Sequence, residues 1–385
     1  MHRKLVILAA TIVGAHFAQE LFLGATPAGT LIANLLEILA SVLAAVMCFR
    51  AAQRAQGMAR PFWTLIGFGM VVWGVANLGW MYYEFVLHAA PPPGSVVRFC
   101  FNTQGIFLAM VLFLDQDKDS SEFQPEFLLD FTQIAIVFFF LYLGLYYLPS
   151  TEAQQQSVTT RRLWVEFGEV GTILVLACFQ ALRARVEHVR RLYVGFAIYI
   201  ALFATGMALS EYYQIVRGTP TGTAADLGWT LPFLWAAFWA AQWQPSKAAG
   251  AVQSARERTL SGVALNNAMF AVAPLIVLVQ VAQFPSEWRI LRFSLLGVSI
   301  LCFAVRLGIS GYREAATAET VRRQTLAMDS AAEGISILGQ DGKLVYVNAA
   351  FVRMMGFDSQ ESMLGAYWQE IYDPREIQRL REQVR

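Results

Sequence analysis

Apolar runs of about 20 residues recur from the N-terminus to Ile309, separated by short polar breaks. Each is long enough to cross a hydrocarbon core of about 30 Å as an α-helix rising about 1.5 Å per residue. The pattern predicts ten spans, at about 5–24, 30–49, 62–87, 96–114, 127–148, 163–182, 192–214, 227–243, 262–283 and 290–309. The breaks carry loop chemistry: ATPAGT at 25–30, AAPPPGS at 89–95, PSTEAQQQ at 149–156 and RGTPTGT at 217–223. The last run, Leu291–Ile309, continues without a proline into a charged, Ala-rich segment, Gly311–Ser330. Only beyond it does the period change from helical to alternating. Gly334–Leu338 and Lys343–Val347 read as two short strands around Gln340-Asp341-Gly342, a hairpin turn signal. Asn348 follows as a helix cap, and Ala349–Met355 reads as a short helix closed by Gly356.

Composition sharpens this picture. The chain has 385 residues, 56% hydrophobic and 15% charged, against roughly 25% charged in a soluble domain. The net charge of +1, with no basic stripe carrying interleaved aromatics, gives no footprint for nucleic acid. The expected surrounding is a lipid bilayer. Cys48, Cys100, Cys178 and Cys302 all fall in apolar runs and form no CxxC pair, so they read as small buried residues rather than disulfides or zinc ligands. His2, Arg3 and Lys4 precede the first apolar run as in a signal peptide, but no small-residue cleavage site follows and further spans do, so an uncleaved first helix is expected.

Basic residues near the span ends set the orientation. With a cytoplasmic N-terminus, 13 fall inside (Arg3, Lys4, Arg50, Arg54, Arg60, Lys118, Arg183, Arg185, Arg190, Arg191, Lys247, Arg256, Arg258) and 6 outside (Arg98, Arg161, Arg162, Arg217, Arg289, Arg292). Ten spans then return the chain to the cytoplasm. A repeat is also visible. Cys48-Phe49-Arg50 and Cys178-Phe179-Gln180 close spans two and six, and Tyr82-Tyr83-Glu84 and Glu211-Tyr212-Tyr213 close spans three and seven. The simplest account is a four-helix unit, spans two to five, duplicated in parallel as six to nine.

Ionisable residues inside spans are costly and are functional candidates. Here they are His16, Glu20, Glu37, Glu84, Asp130, Glu166, Glu169 and Glu211. Glu166 and Glu169 share a helix face, as do His16 and Glu20, and Glu84 and His88. Two readings stand. One is a polar pocket holding a cation, a metal or a small ligand, with Glu37, Glu84, Glu166, Glu169, Glu211 and His16 as the sensing residues. The other is interface solvation beside an aromatic belt of Trp80, Tyr82, Tyr83, Tyr212 and Tyr213. Glu37 lies nearer mid-span than the rest. No third ligand at fixed spacing supports a metal, and no GxSxG, HExxH, P-loop or GxGxxG is present, so no catalytic residue is assigned.

In Tyr312–Ala332 a seam through Ala318, Val321, Thr325, Met328 and Ala332 has coiled-coil spacing, although Thr and Ala make it weak; a homodimer through this helix is one reading and a solvated single helix the other. Gly308 and Gly311 read as a hinge.

The stretch MDSAAEGISILGQDGKLVYVNAAFVRMMGF, Met328–Phe357, resembles the opening of a PAS domain, and Asp358–Arg385 resembles its continuation less specifically. The resemblance implies an α+β fold of which only the first part is present, so the chain reads as truncated within it. It carries no cofactor and no pocket residue over to this chain. The fold class expected is therefore an all-α polytopic membrane domain at 1–310, a connector helix at 311–330 and an incomplete α+β PAS domain at 331–385. Membrane spans followed by a helix and a PAS module resemble bacterial plasma-membrane receptors, whose output is a histidine kinase working through a response regulator, or a diguanylate cyclase or phosphodiesterase. A transporter with a regulatory PAS module and a membrane scaffold are the alternatives.

Overall fold

The computed structural model describes residues 2–114, 125–148, 155–184, 186–218, 222–223, 225–244, 260–339 and 341–371. Residues 115–124, the parts 149–154 and 219–221 of two of the breaks, the turn residue Gln340 and the chain beyond Ile371 lie outside them.

The chain forms two units, Met1–Arg306 and Leu307–Arg385. The first is helical: α1 (His2–Phe22), α2 (Pro27–Arg54), α3 (Ala59–Phe85), α4 (Val96–Leu112), α5 (Pro125–Tyr142), α6 (Gln155–Arg183), α7 (Glu187–Arg217), α8 (Ala225–Gln242), α9 (Leu260–Gln283) and the start of α10 (Arg289–Ser330). Among the described residues, seven helical stretches are long and apolar enough to cross a membrane, at 3–22, 27–54, 59–85, 126–147, 162–183, 187–213 and 286–330. Val96–Leu112 and Ala271–Ala282 are shorter apolar helices. α8 falls outside both groups because Trp229, Trp235 and Trp239, with Asp226, Thr230 and Pro232, dilute its apolarity. Seven such spans thus stand where ten apolar runs were read.

Capping explains several boundaries. Thr26 accepts from the Gly29 amide and Pro27 sits at the first helical position, so α2 begins three residues before the expected break ends. Ser95 accepts from the Arg98 amide to start α4. α5 runs into a π-turn, Leu143–Tyr147.

The core of this unit is aromatic and lies between α3, α7 and α8. Phe62 meets Tyr193, Phe196 and Trp239 edge-on, and Trp63 packs on Trp239. α7 and α8 approach backbone to backbone, since a Cβ added to Gly206 would lie 2.2 Å from the Gly228 carbonyl oxygen. A smaller cluster joins α5, the π-turn and α9 through Phe140, Leu143, Val277 and Phe284. Cys48 and Cys302 are buried as expected, but Cys178 is exposed: it points out of the bundle, a face that an apolar run alone does not distinguish from the inward one.

In the second unit, α10 continues unbroken to Ser330, with Gly308 and Gly311 inside the helix. Then β1 (Ser336–Leu338) pairs antiparallel with β2 (Leu344–Val347), Ile337 facing Tyr346. Gly342 takes φ +77° in the turn. α11 (Ala349–Met355) is capped by Asn348 and closed by Gly356 at φ +74°, and α12 spans Trp368–Ile371. Leu344, Val347, Phe351, Val352 and Met363 form its core.

Candidate functional site: a buried polar seam

Four helices of the first unit turn polar residues inward at helical spacing. On α2 these are Thr30, Asn34, Glu37 and Ser41; on α1, His16 and Gln19; on α3, Asn77; on α8, Asp226 and Thr230. All are buried. Their hydrogen bonds tie α2 to α3, and α1 to α8 and the loop before it. Asn77 Nδ2 donates to Glu37 Oε2 at 3.2 Å, and Asn34 Nδ2 donates to Glu84 Oε2 at 2.7 Å. His16 Nε2 and Thr230 Oγ1 share a hydrogen bond of 2.8 Å. Asp226 Oδ2 accepts from the amides of Gly222 and Thr223 at 2.6 and 3.1 Å, which fixes the start of α8. Gly222 itself has φ +85°, and a Cβ there would lie 2.8 Å from Ala25 Cα, so the loop lies tight against the α1–α2 junction. Gln19 Nε2 reaches the carbonyls of Gly24 and Gly222 at 3.0 and 3.4 Å.

The seam is acidic. Glu37 lies within electrostatic range of Asp226 and Glu84, and Asp226 within range of Glu84 and Glu20. Glu37 is buried inside the bundle. No group of three His, Cys, Asp or Glu among the described residues converges closely enough to hold a metal ion.

A second cluster joins α4, the π-turn, α6 and α7. Tyr146 donates to Glu166; Arg162 lies 3.6 Å from Glu166 and 3.4 Å from Glu211. Arg98 lies 4.8 Å over the Trp80 ring and within range of Glu166 and Glu211. Glu169 faces α4, where a Cβ on Gly105 would meet its Oε1 at 2.8 Å. The predicted residues thus divide. Glu37, Glu84 and His16 belong to the first seam, and Glu166, Glu169 and Glu211 to the second. Glu84 and Glu211, alike in their neighbouring tyrosines, have different partners. Asp130 belongs to neither; it pairs with Arg306 of α10.

Sequence reading missed Gln19, Asn34, Asn77, Asp226 and Thr230. The 30/34/37/41 spacing on α2 and the 226/230 spacing on α8 are signals that point to Asn34, Asp226 and Thr230.

In the second unit, Asn348 is the polar centre. Its Oδ1 accepts from the Ile335 and Phe351 amides at 2.8 and 2.9 Å, and its Nδ2 donates to the Met328 and Glu333 carbonyls at 2.9 Å each. Tyr346 Oη donates to Asp329 Oδ1 at 2.7 Å. The end of α10 is therefore hydrogen-bonded to the strand–helix unit that follows it.

No curated protein matches this chain. No solved structure matches it. Residues 322–385 match the family model described as a PAS domain, so the chain couples several apolar, membrane-length helices to a PAS region.

Proposed function

We propose that the chain is the sensing part of a membrane signal-transduction receptor, in which the helical bundle receives a stimulus and α10 carries it to the PAS region. The observation that carries this reading is the unbroken α10, Arg289–Ser330. Its Arg306 is tied to Asp130, and its Met328 carbonyl is bound by Asn348. A helix tied at both places passes rotation or translation from one to the other. The buried seam around Glu37 is the input site, because ionisable groups at such depth mark ligand and ion sites.

In this reading the bundle has ten spans, with α4, α8 and α9 counted, and spans two to five are duplicated as six to nine. The N-terminus and PAS region are cytoplasmic, in a bacterial plasma membrane. The exposed Val321 and the neighbouring seam positions on α10 pair two copies. The output is a histidine kinase domain of the same receptor, acting on a response regulator; a diguanylate cyclase or phosphodiesterase would use the same input.

Four residues inserted after Arg313 would turn everything beyond by about 40° and lengthen α10 by about 6 Å. Autophosphorylation of the full receptor in membrane vesicles should then lose its dependence on stimulus, with membrane insertion intact. Unchanged output would refute the rigid connector.

The buried amides and carboxyls of the seam also favour a second reading, a transporter with a regulatory PAS region. Solute uptake into proteoliposomes separates the two.

A further inference from the structure

The seam is short of hydrogen-bond donors. Among the described residues, Glu37 Oε1 and Gln19 Oε1 are buried acceptor atoms with no hydrogen-bond partner. Glu37 is 4% and Gln19 3% exposed. A buried polar atom left without a partner is destabilising, so a pair of them in one seam needs an explanation. Both are oxygens, and both are linked to Asp226, one electrostatically and the other through Gly222. Glu37 is within electrostatic range of the Asp226 carboxyl. The Gln19 amide holds the Gly222 carbonyl, whose own amide is bound by Asp226.

What satisfies orphaned oxygens near gathered carboxyls is positive charge. The donor set selects its kind. The atoms are carboxyl, amide, hydroxyl and carbonyl oxygens, hard ligands that disfavour soft transition metals. Among the described residues no three acidic, His or Cys side chains converge, which disfavours a multiply charged ion held by a carboxylate cage. One or two carboxyls with neutral oxygens and the carbonyls at a helix end are the means by which membrane bundles hold sodium. Here α1 ends at Phe22, and the Gly24 carbonyl just beyond it is turned towards Gln19.

We propose that Glu37 and Asp226, with Gln19 beside them, bind a monovalent alkali-metal cation of the sodium class between α1, α2, α3 and α8. The proposal rests on reading this seam as the input site. The bound ion would draw α8 towards α2, and the facing groups His16, Glu20 and Glu84 would set its affinity.

The test uses the full chain in lipid nanodiscs, with thermal unfolding followed by tryptophan fluorescence. Sodium chloride is titrated against N-methyl-D-glucamine chloride at constant ionic strength and pH. A saturable rise in Tm of about 3–5 °C is expected at a hundredfold excess over Kd. E37Q and D226N should lose the rise, while E319Q, which removes a charge from the exposed face of α10, keeps it. Should the seam variants fail to fold, radioactive sodium binding to the wild type decides alone, with displacement by unlabelled sodium expected and none by N-methyl-D-glucamine. No sodium-dependent rise and no displaceable sodium overturn the proposal, as does a Tm that follows pH and ignores sodium, the mark of a simple protonation site. No receptor output enters this measurement, so its failure is distinct from failure of the connector experiment.

Discussion

Arg306 Nε donates to Asp130 Oδ1 at 2.7 Å, and both side chains are 8% exposed. Removing one member of such a pair leaves a buried charge, at a cost of about 3–5 kcal/mol, whereas replacing both with apolar residues is often neutral. R306M and D130L should each lower bundle stability by about that amount, and the double variant should recover most of it. A double-mutant cycle by denaturant titration in mixed micelles measures this; additive losses would mean that the pair does not couple.

Gly206 and Gly228 let α7 and α8 touch through their backbones. A Cβ on Gly206 would lie 2.2 Å from the Gly228 oxygen, and a Cβ on Gly228 2.8 Å from Gly206 Cα. G206A should therefore cost about 1–3 kcal/mol by overpacking. G297A, on α10 with nothing within 4 Å of the added atom, should be neutral or stabilising by up to about 1 kcal/mol. Comparative thermal unfolding in detergent checks the contrast.

Asn348 can be dissected by chemistry. N348D keeps an oxygen for the Ile335 and Phe351 amides and loses the donor to the Met328 and Glu333 carbonyls. Amide exchange should stay slow at Phe351 and rise at the end of α10. N348A should release both sides and lose about 1–3 kcal/mol of local stability. Equal exchange in the two variants would show that the acceptor bonds to Ile335 and Phe351 carry nothing.

Partial desolvation, the hydrogen bond to Asp329 and the nearby Asp329 charge raise the Tyr346 phenol above its ordinary value of 10.0. The native state thus holds this proton more tightly than the unfolded chain does. Its contribution is complete below pH 10 and is lost as pH rises through the elevated native value. In ultraviolet titration, the phenolate signal missing from Y346F should appear above the ordinary tyrosine value of 10.0, and D329N should bring it earlier.

Much of the second unit was legible in the sequence because its signals are local. The alternation at 334–347, the Asn348 cap and the Gly356 stop all depend on near neighbours, and the strands differ from expectation only by a residue or two at their ends. The connector likewise follows from an uninterrupted helical pattern. The bundle site was half legible. Glu37, Glu84 and His16 stand out in an apolar run, whereas Asn34, Asn77 and Thr230 barely alter its hydropathy. Asp226 lies one residue outside the span read as 227–243, yet α8 begins at Ala225. Which carboxylates share a partner depends on helix pairing, so the tyrosine neighbours common to Glu84 and Glu211 gave no sign of their separate surroundings.

The indoles between α3 and α8 give the bundle an optical signature of its own. Trp63 and Trp239 have ring centroids 4.4 Å apart at 56°, and Trp73 and Trp229 lie 5.3 Å apart at 40°. Transition dipoles so close and so inclined couple as excitons, giving paired bands of opposite sign in ultraviolet circular dichroism. Trp73 is one helical turn from Asn77, and Trp229 is next to Thr230. A movement at the polar seam would therefore change colour-selective absorption of circularly polarised light without any label attached.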